Sequence, residues 1–499
     1  MSMGQTRQLW AVLILAGAVG LGFQGSHGFL ESTEGRYAEA AREMLETGNW
    51  LVPQLDYHPH WTKPPLTYWA IIGGMKLLGE NEWGVRLYSA VAFVALAWVI
   101  ARIGALLWDR RTGIWAALLY ATAPFAVYAA SSVQTDILLS LWEACVVLAY
   151  WEARNTQAIR LRKAWIVALW IFMGLAFLTK GPPGLLTPLA VAAFEFFMRR
   201  TGREKITFLL PAGVAAFIAI GGAWFLVVIL RTPGLLSYFL GEELIGRVFT
   251  AQFNRNPHWY APIYVYGLPL LLGLGPIAAV WFIAAKRYGK SLRWSGIGNR
   301  LRQHEHGLFL LVWLGLPLVI FSISESRLLL YILPVFPAVA LATARLLAVA
   351  FMSVKTEQRV WKYALAMAFV LLSAKGILGY VPNTADTRPL YQFIQKFSGK
   401  DTEYLSYEST RLYGLQFYLH GHLTRLWKLP QDKQTLSGID AALDDMKSNP
   451  KHETYLFVTT SKNDSADLES HLSFRGIPIE KANFRGKYDI FIAHFHVST

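Results

Sequence analysis

Apolar runs follow one another along most of this chain, too long and too closely spaced for a water-soluble core. They occupy residues 10–23, 85–107, 113–130, 137–151, 165–178, 184–198, 206–230, 260–285, 307–321, 328–350 and 361–380. A hydrocarbon layer is about 30 Å thick, so these lengths predict an α-helical polytopic membrane bundle of about 11 spans, or about 13 if weaker segments insert. Charged residues make up only 16% of the chain and hydrophobic ones 54%, whereas soluble domains carry about a quarter charged residues. The formal net charge of +14 invites a nucleic-acid reading. That reading fails, because the basic residues are parcelled into short loops between apolar runs. The one cysteine, Cys145, lies inside such a run, so no intramolecular disulfide forms. The run at 10–23 has the length of a signal-peptide core, but Gln24-Gly25-Ser26-His27 supplies no small-x-small cleavage site. It is expected to stay as the first span.

Charge alternation predicts orientation. Basic loops at 109–111, 154–163, 199–205, 286–302 and 355–359 alternate with poorly basic ones, and the positive-inside rule puts the basic set in the cytoplasm. The opposite side then receives 31–83, 131–136, 179–183, 231–259, 322–327 and everything after 380. Every stretch rich in reactive side chains falls in that second set. One extracytoplasmic site in a multi-pass protein of the inner (plasma) membrane is the expectation.

The richest of these stretches is 31–69. Thr33 reads as a helix N-cap, Ala38, Ala41 and Leu45 recur at helical spacing, and Gly48 ends the helix. Charge on such a helix also suits an amphipathic element lying on the membrane surface. Lys63 precedes Pro64-Pro65, which holds its backbone extended. The short apolar segment after it, Leu66–Leu78, reads as re-entrant or interfacial. A membrane domain is assigned to 1–380, with 25–83 as its first outer loop, and a soluble α/β unit to 381–499. Strands are expected there at 403–407, 423–429, 454–460 and 488–495, with helices at 411–420 and 438–447. That unit has no metal-ligand spacing, phosphate loop or nucleophile elbow, so no chemistry is assigned to it.

Several charged residues have two readings each. Asp136 opens a span, where the helix dipole alone favours an acid by ~0.3–1 kcal/mol; it also suits a general base. Lys180, in the turn Thr179-Lys180-Gly181-Pro182-Pro183, either snorkels or meets a phosphate. Glu243 and Arg247 stand at i,i+4, which gives a surface salt bridge of ~0.3–0.5 kcal/mol, or Arg247 clamps a phosphate. Arg327 at a span end snorkels or holds a lipid phosphate. His58, His60 and His258 lack a clear further ligand, so neither a metal nor any other cofactor is assigned.

TEGRYAEAAREMLETGNWLVPQL followed by TKPPLTYW, the TKGPPG turn, EELIGRV with FNRNPHWY, and SESRLLLYILPVFPAVAL together resemble the bacterial lipid A aminoarabinose transferases. These belong with the protein mannosyltransferase-like, GT-C-type glycosyltransferases that use polyprenyl-phosphate sugars. The resemblance covers roughly 31–341 and is most specific in the first loop. It implies inverting transfer of a sugar from a lipid phosphate carrier to a lipid, glycan or protein on the outer face. Glu34, Arg36 and Tyr37 match the family's acidic-x-Arg-Tyr motif, Lys63 its Lys-Pro-Pro lysine near the donor phosphate, Asp136 its acid after the third span, and Arg247 its long-loop base. Departures occur at Thr33, where many relatives have Asp, at Thr62, where many have Glu, and at Leu244, where some have His. Glu31 is the nearest replacement carboxylate.

The chemistry asks for the same residue types independently. A phosphate leaving an anomeric carbon needs cations, supplied by Lys63, Arg247 and Lys180. A hydroxyl acceptor needs a carboxylate, with Glu34, Glu31 and Asp136 on offer. A transporter or flippase of a lipid-linked substrate is the rival class. It calls for charges buried mid-span and repeated halves, neither of which is read here.

Overall fold

In the computed structural model, residues 3–199, 206–250, 253–288, 305–350, 353–399, 401–409, 412–428, 438–484 and 486–495 are described. Most of the basic loops expected at 199–205 and 286–302 lie outside that set, as do residue 411 of an expected helix and residue 429 of an expected strand.

Apolar runs become helices because only a helix satisfies every backbone N–H and C=O within the segment. Among the described residues six helices are long and apolar enough to cross a membrane: Glu82–Leu107, Ile159–Lys180, Pro211–Arg231, Glu305–Ile323, Leu329–Ala350 and Lys355–Leu378. Two bent pairs raise this to as many as eight. Arg110–Ala121 meets Pro124–Ala130 at 63°, and Ile263–Leu272 meets Gly275–Ile283 at 97°. Each break carries a proline, Pro124 or Pro276, which cannot donate to the preceding turn. The count is lower than the eleven to thirteen expected. The run at 184–198 yields only the 14-residue helix Leu186–Arg199. The run at 137–151 belongs to Asp136–Asn155, which carries Asp136, Glu143, Glu152 and Arg154 and buries most of its surface against other helices.

Four elements position the site. Helix α1 (Thr33–Thr47) lies between α2 (Leu66–Leu78) and the C-terminal region. It is entered through Ser32, with Thr33 already inside, and stops at Gly48 in the left-handed conformation (φ 67°). Residues from Glu34 to Met44 are almost all buried, including Glu39, Arg42 and Glu43. This is a packed element with its charges paired inside, Arg42 to Glu39 at 2.8 Å, and not an amphipathic helix resting on a lipid surface. Helix α3 (Asp136–Asn155) runs antiparallel to α4 (Ile159–Lys180), so the start of one sits beside the end of the other.

Past residue 388 the chain builds a five-stranded sheet. In chain order the strands are β1 (Thr402–Tyr407), β2 (Thr424–Leu426), β3 (Thr454–Thr459), β4 (Ile479–Ala482) and β5 (Asp489–His494). Their order in space is β2-β1-β3-β5-β4, with the first three parallel and β5 antiparallel to β3 and β4. Strand β4 and the helix Lys462–Phe474 are additions to the sequence reading. The helix had a local signal, since the Ser461 side chain accepts from the Asp464 N–H.

The sheet region is stitched to the membrane helices. Arg388 Nε donates to Glu82 at 2.8 Å, Tyr418 donates to the same carboxylate, and Arg425 pairs with Asp56 at 3.1 Å. Gly35 faces Gly414 so closely that a Cβ on Gly35 would come within 2.4 Å of the Gly414 nitrogen.

Candidate functional site

The antiparallel arrangement of α3 and α4 brings Asp136, in the first turn of one, against Lys180, in the last turn of the other, as a buried ion pair. The Lys180 ammonium also lies 4.3 Å from the centre of the Tyr331 ring. Lys63 reaches in from its extended loop. Its Nζ donates to the Thr62 carbonyl at 2.8 Å and stands 3.8 Å from a Glu243 oxygen. Arg247, one turn on from Glu243, donates to the other oxygen at 2.6 Å and stacks 4.5 Å above the Phe253 ring.

Lys63, Lys180, Arg247, Glu243 and Tyr331 share the wall of one cavity of about 390 Å³. The rest of its lining is mostly apolar, including Phe177, Trp224, Phe225, Phe239 and Leu240. A greasy trough with cations at one end suits an amphiphile carrying an anionic head. Burial pushes the Lys63 ammonium down to about 7, and the Arg247 charge beside it adds to that, while Glu243 opposes it. An incoming phosphate would reverse the cost by supplying the missing counter-charge. His60 is pushed down to about 4 by burial and by Arg36 and Lys63, and its ring nitrogen contacts the Thr62 hydroxyl at 2.5 Å. It is a neutral neighbour of the cations. Among the described residues no three His, Cys, Asp or Glu side chains gather as a metal site.

The structure thus brings together Lys63, Arg247 and Lys180, with Asp136 beside Lys180. Tyr37 is buried against Tyr68, ring centres 5.5 Å apart, and Arg36 lies 5.8 Å from the Tyr37 ring. Arg36 makes no ion pair among the described residues.

Three other sequence candidates are placed elsewhere. Both oxygens of Glu34 are engaged: one accepts from Arg86 at 2.7 Å and the Leu30 N–H at 3.1 Å, the other from the Val133 N–H at 2.9 Å. A carboxylate so held is a structural clamp; neither it nor Asp136 lines the cavity, but Asp136 is paired with Lys180, which does. Glu31 turns toward the sheet region, where one oxygen accepts from the Gly414 N–H at 2.5 Å and the other is buried without a partner. The two Nη atoms of Arg327 donate to main-chain carbonyls, Asn256 at 2.8 Å, His258 and Ser322 at 3.0 Å, which pins the long loop; its Nε is buried without a hydrogen-bond partner among the described residues, and the residue does not line the cavity.

Burial raises the Glu31 carboxyl from its ordinary 4.5 to about 7. Between those values the folded protein keeps a proton that the unfolded chain has released, so stability falls as pH rises through the window. The purified protein is expected to melt at lower temperature at about pH 7.5 than at about pH 5, and Glu31→Gln to flatten that slope. An unchanged slope in the variant would remove Glu31 from the seam's pH response.

Sequence reasoning missed Glu243, Tyr331 and Arg86. Glu243 and Arg247 had been read as a pair on a surface, because their spacing shows the local partner and hides Lys63. Arg86 had a signal: an arginine inside an apolar run must find acceptors. It is fully buried and donates to the carbonyls of Gln24, His27 and Gly28 at 2.6, 3.0 and 2.7 Å, and to Glu34.

Known proteins resemble this chain in both sequence and fold. Residues 62–224 match the family model described as dolichyl-phosphate-mannose-protein mannosyltransferase. The whole chain superposes on the crystal structure of ArnT from Cupriavidus metallidurans bound to undecaprenyl phosphate, with a TM-score of 0.77 at 20% identity, covering 99% of this chain and 98% of that one. It superposes more loosely on the oligosaccharyltransferase of Archaeoglobus fulgidus, with a TM-score of 0.52 at 14% identity, covering 85% and 65%. The fold is therefore that of the GT-C membrane proteins, helical with a small sheet region. In sequence the chain is 32% identical over 380 residues to undecaprenyl phosphate-alpha-4-amino-4-deoxy-L-arabinose arabinosyl transferase 1 of Pseudomonas fluorescens, covering 74% of this chain and 64% of that protein. Its sequence similarity to the aminoarabinose transferases thus extends over part of their length. The chain spans about 60% of the length of these curated relatives.

Proposed function

We propose that this protein transfers a sugar from a polyprenyl-phosphate carrier to an acceptor, with inversion at the anomeric carbon. The observation that carries the reading is the shared cavity: Lys63, Arg247 and Lys180 converge at one end of an otherwise apolar trough. The isoprenoid chain of the donor lies along the aromatic wall and its phosphate meets the cations. An acceptor oxygen attacks the anomeric carbon from the face opposite the phosphate. The carbon–oxygen bond to the phosphate breaks and its electron pair stays on the phosphate oxygen, where Lys63 and Arg247 take up the charge. A hydroxyl acceptor gives its proton to a carboxylate. With Glu34 clamped and Glu31 facing the sheet region, Asp136, ion-paired with the cavity-lining Lys180, is the candidate base.

The relatives' names make an undecaprenyl-phosphate aminosugar the first donor to test, and a lipid of the lipid A type the first acceptor; a glycan or protein acceptor uses the same chemistry. The basic-loop pattern supports an inner-membrane protein with its site and sheet region outside the cytoplasm.

Mass spectrometry of envelope lipids, glycans and glycoproteins from a deletion strain tests this. Loss of one sugar adduct, restored by the wild-type protein, is expected. Asp136→Asn should fail to restore it while Glu31→Gln restores it. An unchanged set of adducts, together with faster or slower movement of a lipid-linked sugar across vesicles, would replace the transferase with a flippase.

A further inference from the structure

Among the described residues Glu243 is the one acid on the cavity wall, and it sits between the two cations that the donor phosphate needs. One of its oxygens accepts from Arg247 at 2.6 Å and lies 3.4 Å from the Tyr238 hydroxyl; the other is 3.8 Å from Lys63. The group is only 15% exposed, so its charge is weakly screened. A carboxylate in that position works against phosphate binding, and a cradle built only for affinity would leave it out.

Resting on the transfer reading above, the charges of the two ligand states explain it. A lipid-phosphate-sugar is a phosphodiester with one negative charge. Once the sugar has left, the carrier is a phosphomonoester, with close to two negative charges above its second pKa of about 6. With Lys63 protonated, as a bound phosphate favours, and with Lys180 offset by Asp136, the trio Lys63, Arg247 and Glu243 sums to one positive charge, which matches the diester. Without Glu243 the pair would match the monoester and would hold the spent carrier.

We propose that Glu243 is the built-in counter-anion that tunes this cradle to the singly charged donor and competes with the spent carrier for Lys63 and Arg247. It is a positioning and discriminating residue that acts through the two cations and forms no bond to substrate. Binding of donor or product requires the carboxylate to yield part of its contact with Arg247, and its return helps to eject the product.

The test uses the full-length protein in lipid nanodiscs, with undecaprenyl phosphate as the monoester probe and its methyl ester as the diester probe. Glu243→Gln keeps the shape and the hydrogen-bonding capacity but removes the charge. Its affinity for the monoester is expected to rise about tenfold and for the diester about threefold or less, with kcat and KM falling together as product release slows. If Glu243→Gln does not fold, Glu243→Asp withdraws the charge without deleting it and should give a smaller shift in the same sense. A monoester-to-diester ratio that stays the same, or weaker binding of both probes, would overturn the role of Glu243. A purely structural residue would not move that ratio. Should Lys63→Ala and Arg247→Ala leave both affinities untouched, the phosphate cradle itself is misplaced. If those two weaken binding while Glu243→Gln leaves the ratio unchanged, only the proposal for Glu243 falls.

Discussion

Lys63→Ala is expected to lower sugar transfer by about a hundredfold or more, the usual cost of deleting one preorganised charge at a leaving oxyanion. Folding should survive. Lys63 is in a loop, and among the described residues its polar contacts are the Thr62 carbonyl and, at 3.8 Å, Glu243. The measurement is turnover of a lipid-linked sugar by reconstituted protein, with melting temperature as the control. Lys63→Arg should retain part of the rate, because it keeps a cation with different reach. A pH profile sharpens the result. In the free protein Lys63 titrates at about 7, so kcat/KM should fall as pH rises through that value. In the complex the phosphate favours the protonated form, so kcat should hold to higher pH. Full turnover by Lys63→Ala would dismiss the phosphate cradle as drawn.

Arg86→Ala should be the most damaging substitution for stability, at about 3–5 kcal/mol, because it strands a buried carboxylate. It also leaves the carbonyls of Gln24, His27 and Gly28 without their donor. The expected outcome is a steep loss of folded protein in detergent and a lower melting temperature. Arg86→Met combined with Glu34→Met should recover part of the loss, since an apolar pair leaves no orphaned charge. If Arg86→Ala alone melts like the wild type, Glu34 is free for chemistry after all and the assignment of Asp136 weakens.

The membrane class, the kinds of side chain at the site and most of its cations were legible in the sequence, because each depends on local pattern. Apolar runs report helices, Lys63 is fixed by the two prolines after it, and Asp136 and Lys180 stand at the ends of consecutive runs. Partners distant in the chain were not legible. Glu34 pairs with Arg86, 52 residues away, and nothing in the spacing of either announces that. The same blindness hid the bonds of Arg327 to the carbonyls of a loop some 70 residues earlier. Glu243 was misjudged for a related reason. The i,i+4 rule exposes its bond to Arg247 and says nothing of a lysine from the first loop.

The contact of Gly35 with Gly414 constrains exchange between relatives. Neither residue has a side chain that can rotate aside, and a Cβ on Gly414 would lie 2.3 Å from the Thr387 hydroxyl. A chimaera that borrows the carboxyl-terminal portion of a relative would therefore assemble only if that portion also brings a bare position to face Gly35. Shuffling the two halves during evolution would have met the same barrier, so they are expected to have been inherited as a unit.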